Sequence, residues 1–482
     1  MPCNLFVWRA SGKMKWSMIF LLFASFLGCR QTTSFNTQDI QLDMPGSWSL
    51  EGNTNSVSND WWHSFAVPEL QQLIQDALSH NHDLKIAAIR VDRARAEARM
   101  STFASRPKLD LSVSGEKRQS NFIGIPFGGN GASRSRYESF GTSAALNWEL
   151  DLWERIRAGQ AIARTEAKAV QHDLESARLS IVAQLMRLWV QWAEAQIQSR
   201  LASESVLLLE QTLSQSEVRF ETGRGRALDV RLSKANLSEA KATVVQWRIR
   251  SEKLARSMEL LAGRNPSQAQ TENIELARLP SPPPDVPIGI PAELLTRRPD
   301  IAAGLVRIYA ANLSVAEAHA NLLPRVGLTA SGGGSSSELK KLLSGDSLIW
   351  SIGGSLSQTI LFPDEQQTRI NSRSLKAEEA VLHYRQQIMT ALHEVETSLN
   401  AGRLLDDQRR QTALTVANAR EVLALTERRY ELGLTNAAVL LDAQRRLTAA
   451  RSALISVRRT ELENRIDLHL ALGGEITLED ES

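Results

Sequence analysis

Apolar and polar residues alternate in four stretches of the chain. Leu109, Leu111 and Val113 interleave with Asp110, Ser112 and Ser114, and Val326, Leu328 and Ala330 interleave with Gly327, Thr329 and Ser331. A period of two places each apolar set on one face of a strand, so strands are predicted near 107–115 and 324–333. Each has a follower, near 137–152 and 348–362, in which Phe140, Thr142, Ala144 and Leu146 occupy the face that Trp350, Ile352, Gly354 and Leu356 occupy later. Gly128-Gly129-Asn130-Gly131 and Gly332-Gly333-Gly334-Ser335 read as loops between the paired strands.

Elsewhere the period is helical. Glu154 to Phe220 contains no proline and only an early glycine, which at about 1.5 Å per residue makes a rod on the order of 100 Å. Val206, Leu209, Leu213, Ser216 and Phe220 keep a three-four spacing, and Val230, Leu237 and Val244 recur every seventh residue. Their counterparts are Val416, Ala419, Leu423, Thr426 and Tyr430, followed by Leu440, Leu447 and Leu454. These patterns predict two antiparallel coiled-coil hairpins, over 154–262 and 366–472. They turn at Gly223 and Gly433, where glycine tolerates the left-handed backbone of a helix end.

Both halves thus follow one plan. Asp83-Leu84, Arg90, Ala94 and Pro107-Lys108-Leu109 recur as Asp300-Ile301, Arg307, Ala311 and Pro324-Arg325-Val326, and Arg219-Phe220-Glu221 with Gly223 recurs as Arg429-Tyr430-Glu431 with Gly433. A first repeat over 29–290 and a second over 291–482 follow, joined by a proline-dense link at 279–291. Strands apolar on one face and small or polar on the other match the wall of a transmembrane β-barrel. Four cannot close one, because the smallest such barrels have about eight strands, so this reading demands an oligomer. A soluble four-stranded sheet packed on helices is the alternative that the segments alone leave open.

Composition narrows the class. With 43% hydrophobic and 23% charged residues the chain suits a folded protein, and 56 Lys+Arg against 54 Asp+Glu give no field that suggests a nucleic-acid partner. Lys13, Lys15, the apolar run Trp16 to Leu27 and Gly28-Cys29 read as a secretory signal over 1–28, too short to remain as a membrane span. Met14 is an alternative start, and no later stretch reads as a transmembrane helix. Cys29 would then be the sole cysteine of the mature chain, unable to form an internal disulfide and open to acylation. The site resembles a bacterial lipobox, with Phe26 in place of the usual leucine and Leu27 in place of a small residue. Arg30 stands where an aspartate would signal inner-membrane retention, which implies outer-membrane sorting.

Six strings carry a wider resemblance: Trp61-Trp62-His63-Ser64-Phe65, Pro68-Glu69-Leu70, Asp83-Leu84, Trp148-Glu149-Leu150-Asp151-Leu152, Leu294-Leu295-Thr296-Arg297-Arg298-Pro299-Asp300-Ile301 and Arg429-Tyr430-Glu431-Leu432-Gly433. Over nearly the whole mature chain it resembles the lipoprotein branch of the TolC-like outer-membrane factors, the OprM-like and NodT-like proteins. The resemblance implies a mixed α and β membrane protein: a homotrimer with a twelve-stranded barrel in the outer membrane, four strands per subunit. A long periplasmic α-helical barrel and an equatorial belt would continue it. It implies an exit duct for drugs, metals or other small molecules, working with a periplasmic adaptor and an inner-membrane RND-type pump, and contacting outer-membrane lipid. Trp61 and Trp62 then read as packing anchors of the belt. Leu361-Phe362-Pro363-Asp364 replaces the family's Phe-x-Gly-Gly turn, and Trp153-Glu154-Arg155 replaces a commoner Phe-Gly-Arg.

The resemblance also places a periplasmic gate at the hairpin tips. Asp442 falls on an acidic constriction position, where three carboxylates would focus a negative potential and favour cations. Tyr430 and Asp229 fall on a hydrogen-bonded pair that holds the inner hairpin closed. Val439 replaces a second constriction aspartate and Thr435 a gate arginine. No phosphate loop, Gly-x-Ser-x-Gly elbow or His-Glu-x-x-His motif supports an enzyme, and no cofactor is expected beyond a lipid on Cys29. His80 and His82 lack the further clustered ligands of a metal site. Two other readings remain: a periplasmic coiled-coil adaptor, which has one hairpin and a lipoyl-like domain, and a duct for type I protein secretion.

Overall fold

The computed structural model describes residues 44–49, 61–65, 67–122, 133–265, 279–280, 288–359 and 363–474. The signal segment, Cys29, the glycine-rich stretch at 128–131, Leu361-Phe362 and most of the proline-dense link lie outside them. In chain order the main elements are α1 (Pro68–His80), α2 (His82–Ser101), β1 (Lys108–Phe122), β2 (Ser133–Leu150), α3 (Arg155–Glu221) and α4 (Ala227–Leu261). The second half supplies α5 (Pro299–Ala320), β3 (Arg325–Ser336), β4 (Leu348–Ser357), α6 (Pro363–Glu431) and α7 (Ala437–Ala471).

The strands form one antiparallel sheet in the order β1-β2-β3-β4. Its register sorts side chains by chemistry, since neighbours across a ladder share a face. Leu109, Leu111 and Val113 of β1 align with Leu146, Ala144 and Thr142 of β2. These continue into Ala330 and Gly332 of β3, then Ile352 and Trp350 of β4. The opposite face carries Ser112 paired with Ser143 at 3.1 Å and Ser331 paired with Ser351 at 2.8 Å, hydroxyl to hydroxyl. One face is therefore apolar and exposed, and the other is a hydroxyl-rich wall.

Gly332 to Ser335, expected as a loop, lies inside β3. The long β2 strand templates it through Gly332↔Ala144, Gly333↔Ser143 and Gly334↔Thr142. Glycine is needed here for close approach rather than for a turn, because a Cβ on Gly333 would strike the Thr142 carbonyl.

Where β2 becomes α3 the chain turns sharply. Asp151 accepts hydrogen bonds from the N–H groups of Ile156 and Arg157 at 2.9 and 2.8 Å, satisfying two donors of the first turn. The Trp153 indole donates to the Pro324 carbonyl at 2.7 Å and so ties this corner to the start of the second sheet half. Glu154, at the position where the resemblance expects the commoner glycine, adopts φ 60, the only positive φ of a non-glycine residue among those described. A side chain in that region costs roughly 1–2 kcal/mol.

The helices continue away from the sheet. α3 has 67 residues, α6 has 69, and α4 and α7 have 35 each. Each hairpin packs on itself, and α3 also packs along α7, giving the order α4, α3, α7, α6. α5 has the length and composition to cross a membrane, which the sequence reading did not assign to any helix after the signal segment. It packs against α3 and α6, with Ile301 and Ile308 in a core shared with Val381, Tyr384, Ile388 and Trp48.

Midway along the molecule one joint is built twice. Gly263 and Gly473 end α4 and α7 at φ 69 and 73, each abutting the backbone of an equivalent residue, His80 or Arg297. The Asn81 amide donates to the Leu261 carbonyl at 2.7 Å, and the Arg298 guanidinium donates to the Ala471 carbonyl at 3.1 Å. Arg298 also holds Asp300 in two hydrogen bonds, at 3.1 and 2.9 Å, and Glu394 in one at 2.6 Å. Burial disfavours its charge, but these carboxylates outweigh burial and raise its pKa above the ordinary arginine value. The Arg-Arg-Pro-Asp-Ile string is thus a structural joint.

Trp61 and Trp62 are buried and meet edge to face at 6.3 Å, as packing anchors do. Trp61 stacks on His469 at 4.6 Å, so the N-terminal segment is pinned to the last turns of α7. Among the described residues neither ring nitrogen of His469 has a hydrogen-bond partner. Burial, with Arg465 nearby, pushes its pKa down from 6.5 to about 3.

Two outcomes follow. Glu154→Gly, which removes the strained side chain, should stabilise the chain by about 1 kcal/mol in chemical denaturation, less the small loss of the exposed Arg157 pair. Between pH 6.5 and 3 the unfolded chain carries a proton on His469 that the folded chain refuses. Stability should therefore fall as pH drops through that window, by up to about 1.4 kcal/mol per unit from this group, and His469→Phe should remove that part of the slope.

Candidate functional site at the hairpin tips

Both hairpins turn by the same device. Gly223 at φ 71 and Gly433 at φ 73 place the next N–H groups, of Arg224 and Leu434, on the carbonyls of Arg219 and Arg429 at 2.8 Å each. After the turn the two differ. Asn436 caps α7 by accepting from the Val439 N–H at 3.1 Å, whereas Arg226 opens α4 without a side-chain cap.

Asp229 and Tyr430, expected as a hydrogen-bonded pair, do not bond to each other. The Asp229 carboxylate faces back along its own helix to Arg226, whose Nη2 and Nε lie 3.0 and 3.2 Å away, because α4 lacks a capping side chain and Arg226 is the nearest cation. The Tyr430 hydroxyl lies 3.3 Å from Ser216 Oγ, which is itself 3.3 Å from Ser233 Oγ. These serines and Tyr430 are buried.

Arg219 supplies the strongest contact between the hairpins at this level. Its Nη2 donates to the Tyr430 carbonyl at 2.6 Å, and its guanidinium carbon stands 3.9 Å from the Tyr430 ring centroid. A charge-assisted hydrogen bond and a cation–π contact together are worth about 2–3 kcal/mol, against about 1 kcal/mol for a neutral hydroxyl pair at the edge of range. One turn further from the tips, Gln444 of α7 donates to Thr212 Oγ1 of α3 at 3.1 Å, both buried. Sequence reasoning missed Arg219, Ser216 and Gln444. The arginine shared by the two Arg-x-Glu strings was visible, but its partner depends on which hairpin faces which.

Asp442 is not a bare carboxylate. Arg446 Nε lies 2.6 Å from one oxygen and Arg445 Nη2 lies 2.8 Å from the other. The hydrogen bonds from Arg446 and then Arg445 lower its pKa below the usual aspartate value, so it stays ionised while two cations offset its charge. The carboxylate on which the sequence places a cation-favouring ring is thus accompanied by two arginines on the following turn of its own helix. Val439 is exposed at the α7 start. His80 and His82, far from the tips in sequence, are exposed, and His80 Nδ1 lies 3.1 Å from the Asp76 carbonyl oxygen.

The chain matches a family model described as outer membrane efflux protein over residues 73–264 and 290–474. It is 29% identical over 425 residues to the probable efflux pump outer membrane protein SepC of Pseudomonas putida, covering 87% of this chain and 86% of that one. The toluene efflux pump outer membrane protein TtgC of Pseudomonas putida is 28% identical over 420 residues, with 87% and 86% covered. Among solved structures, the outer-membrane channel OprN aligns with a TM-score of 0.82 at 26% identity, covering 90% of this chain and 98% of OprN. The CmeC outer membrane channel of Campylobacter jejuni shares the fold, with a TM-score of 0.83 at 24% identity over 92% and 95%. Fold, repeat and sequence agree, and the chain belongs to the outer membrane efflux protein family.

Proposed function

We propose that this protein is the outer-membrane exit duct of a tripartite efflux system, passing small molecules from an inner-membrane pump and a periplasmic adaptor to the exterior. The observation that carries this is the sheet: four strands, apolar on one face and hydroxyl-lined on the other, continuing into helices of 67 and 69 residues. An apolar outside and a polar inside are what a barrel wall around water requires. β1 and β4 have no partner on their outer edges among the described residues, and hydrocarbon does not tolerate unpaired edges. Three copies supply twelve strands and close them. The outermost helices agree, since α4 leaves Val245 and Ile249 exposed and α6 leaves Leu414, Val422 and Leu425 exposed, ready to meet across neighbouring copies.

An adaptor would need neither the amphipathic sheet nor two hairpins. Relatives named for toluene and antibiotic efflux favour small-molecule export over protein secretion. We assign the chain no catalysis, and a lipid on Cys29 would add a second hold on the membrane beside the barrel's own apolar face.

For the tips, the lock between hairpins is Arg219 on Tyr430, and opening separates the two. Adaptor contact favours the separated state by binding it more tightly. Arg219→Ala should raise resting single-channel conductance in planar bilayers, whereas Asp229→Ala and Tyr430→Phe should change it little. Equal effects of all three would overturn the assignment. Labelled palmitate should enter the wild type and not Cys29→Ser, with trimer and conductance kept in both.

A further inference from the structure

The loop from β3 to β4 lies against the apolar face of the sheet and not across its hydroxyl-rich face. Gly334 stands on the apolar face, in register with Thr142, and the Leu342 carbonyl occupies the space that a Gly334 side chain would fill. Leu342 is buried there. The loop is closed by its own hydrogen bonds: the Lys341 carbonyl accepts from the Ser344 N–H at 3.0 Å, the Ser344 hydroxyl at 2.7 Å and the Ser347 hydroxyl at 2.7 Å. Held in this way it presents Leu343, 91% exposed, and Leu339, 62% exposed, with Lys340 and Lys341 between them.

Its height on the wall is fixed by register. Ser336, where the loop begins, is level with Phe140, which is level with Gly115. Two residues above Gly115 on the same face, Lys117 forms an ion pair with Glu138, and above that Arg136 donates to Gln119 at 3.1 Å. Phe140 and Gly115 therefore mark the line at which the apolar face gives way to charge. On the other side of the loop, Leu348 and Trp350 resume the apolar face.

We propose that this loop is an interfacial anchor in the outer leaflet. Leu339 and Leu343 enter the top of the acyl layer, and Lys340 and Lys341 meet the phosphates of the anionic glycolipid headgroups above it. The inference rests on the reading of the sheet as a barrel wall. Burying two leucines that water now covers favours the seated loop, since apolar surface leaves water for the acyl layer. Lysine suits this level because its stem lies along apolar surface while the ammonium reaches the headgroups. Glu338, 2.8 Å from Lys341 Nζ, offsets part of one charge and leaves Lys340 as the main phosphate ligand. Seating the loop on the outside of the wall also keeps it clear of the lumen.

The test places a nitrobenzoxadiazole probe on Leu343→Cys and, separately, on Ile352→Cys in the apolar belt, with signal from the unsubstituted chain subtracted. The protein is reconstituted in vesicles of brominated phosphatidylcholine containing bisphosphorylated lipid A. Both probes should be quenched, with position 343 quenched more by bromines near the headgroup and position 352 more by bromines deep in the chain. A quenched 352 with an unquenched 343 overturns the anchor, whether 343 then reports water or a neighbouring copy. Failure of both overturns the barrel reading instead. Lys340→Ala with Lys341→Ala should lower quenching at 343 when lipid A carries its phosphates and leave it unchanged in phosphatidylcholine alone. No difference between the two vesicles would remove phosphate recognition from the proposal.

Discussion

Unpaired strand edges govern this molecule. A four-stranded sheet with bare backbone on both sides is tolerable in water, at the risk of aggregation, but in hydrocarbon each unsatisfied N–H or C=O costs several kcal/mol. Among the described residues β1 and β4 together expose two such edges, so the sheet persists in a membrane by meeting copies of itself. Once the edges close, the faces are assigned. The side carrying Leu111, Val113, Trp350 and Ile352 must face lipid, and the side carrying Ser112, Ser143, Ser331 and Ser351 must face water. The helices then inherit the ring, because α4 and α6, at the two ends of the order α4, α3, α7, α6, are brought beside their counterparts in the next copy.

A ring built from a duplicated half needs the two halves to hold their helices at the same angle with different residues. The middle joint shows how this is done. The C-terminal carbonyls of α4 and α7 both require donors, and both receive one from the residue that opens α2 or α5. In the first half the donor is the neutral amide of Asn81, which also accepts from the Leu84 N–H at 3.0 Å. In the second half it is the cation of Arg298, which needs two carboxylates to be comfortable when largely buried. Removing either donor takes the partner from a part-buried helix-end carbonyl, but removing Arg298 also takes the cation from Asp300 and Glu394. The second joint is therefore the more vulnerable of the two.

Much of this plan was legible in the sequence because periodicity reports directly on burial. The strand alternation set the faces, the absence of proline set the helix lengths, and Gly223 and Gly433 set the turns. The strand ends were less legible: β1 and β2 run on to Phe122 and from Ser133, where charged residues pair across the ladder and no longer alternate by polarity. Gly332 to Gly334 looked like a loop because the strand there is chosen by close approach to β2, a property of the partner strand. The expected bond between Asp229 and Tyr430 failed for a related reason. Position along the chain fixes that both residues lie at the tips, but rotamers and local competitors such as Arg226 and Ser216 decide which atoms meet.

The tips also show one sequence used in two ways. Arg219-Phe220-Glu221 and Arg429-Tyr430-Glu431 stand at equivalent positions, yet Phe220 is about half exposed and Tyr430 is buried. In a ring of alternating hairpins each has one neighbour in its own chain and one in another. Tyr430 points toward the first kind, where Arg219 grips its ring and its carbonyl. Phe220 has no such grip and stays half exposed on α3. A tyrosine suits the buried position because its polar tip is satisfied by Ser216, whereas a phenylalanine leaves no hydroxyl to be paired where it is half exposed. The single oxygen by which Tyr430 differs from Phe220 thus lies at the position where Ser216 and Arg219 make the contact specific.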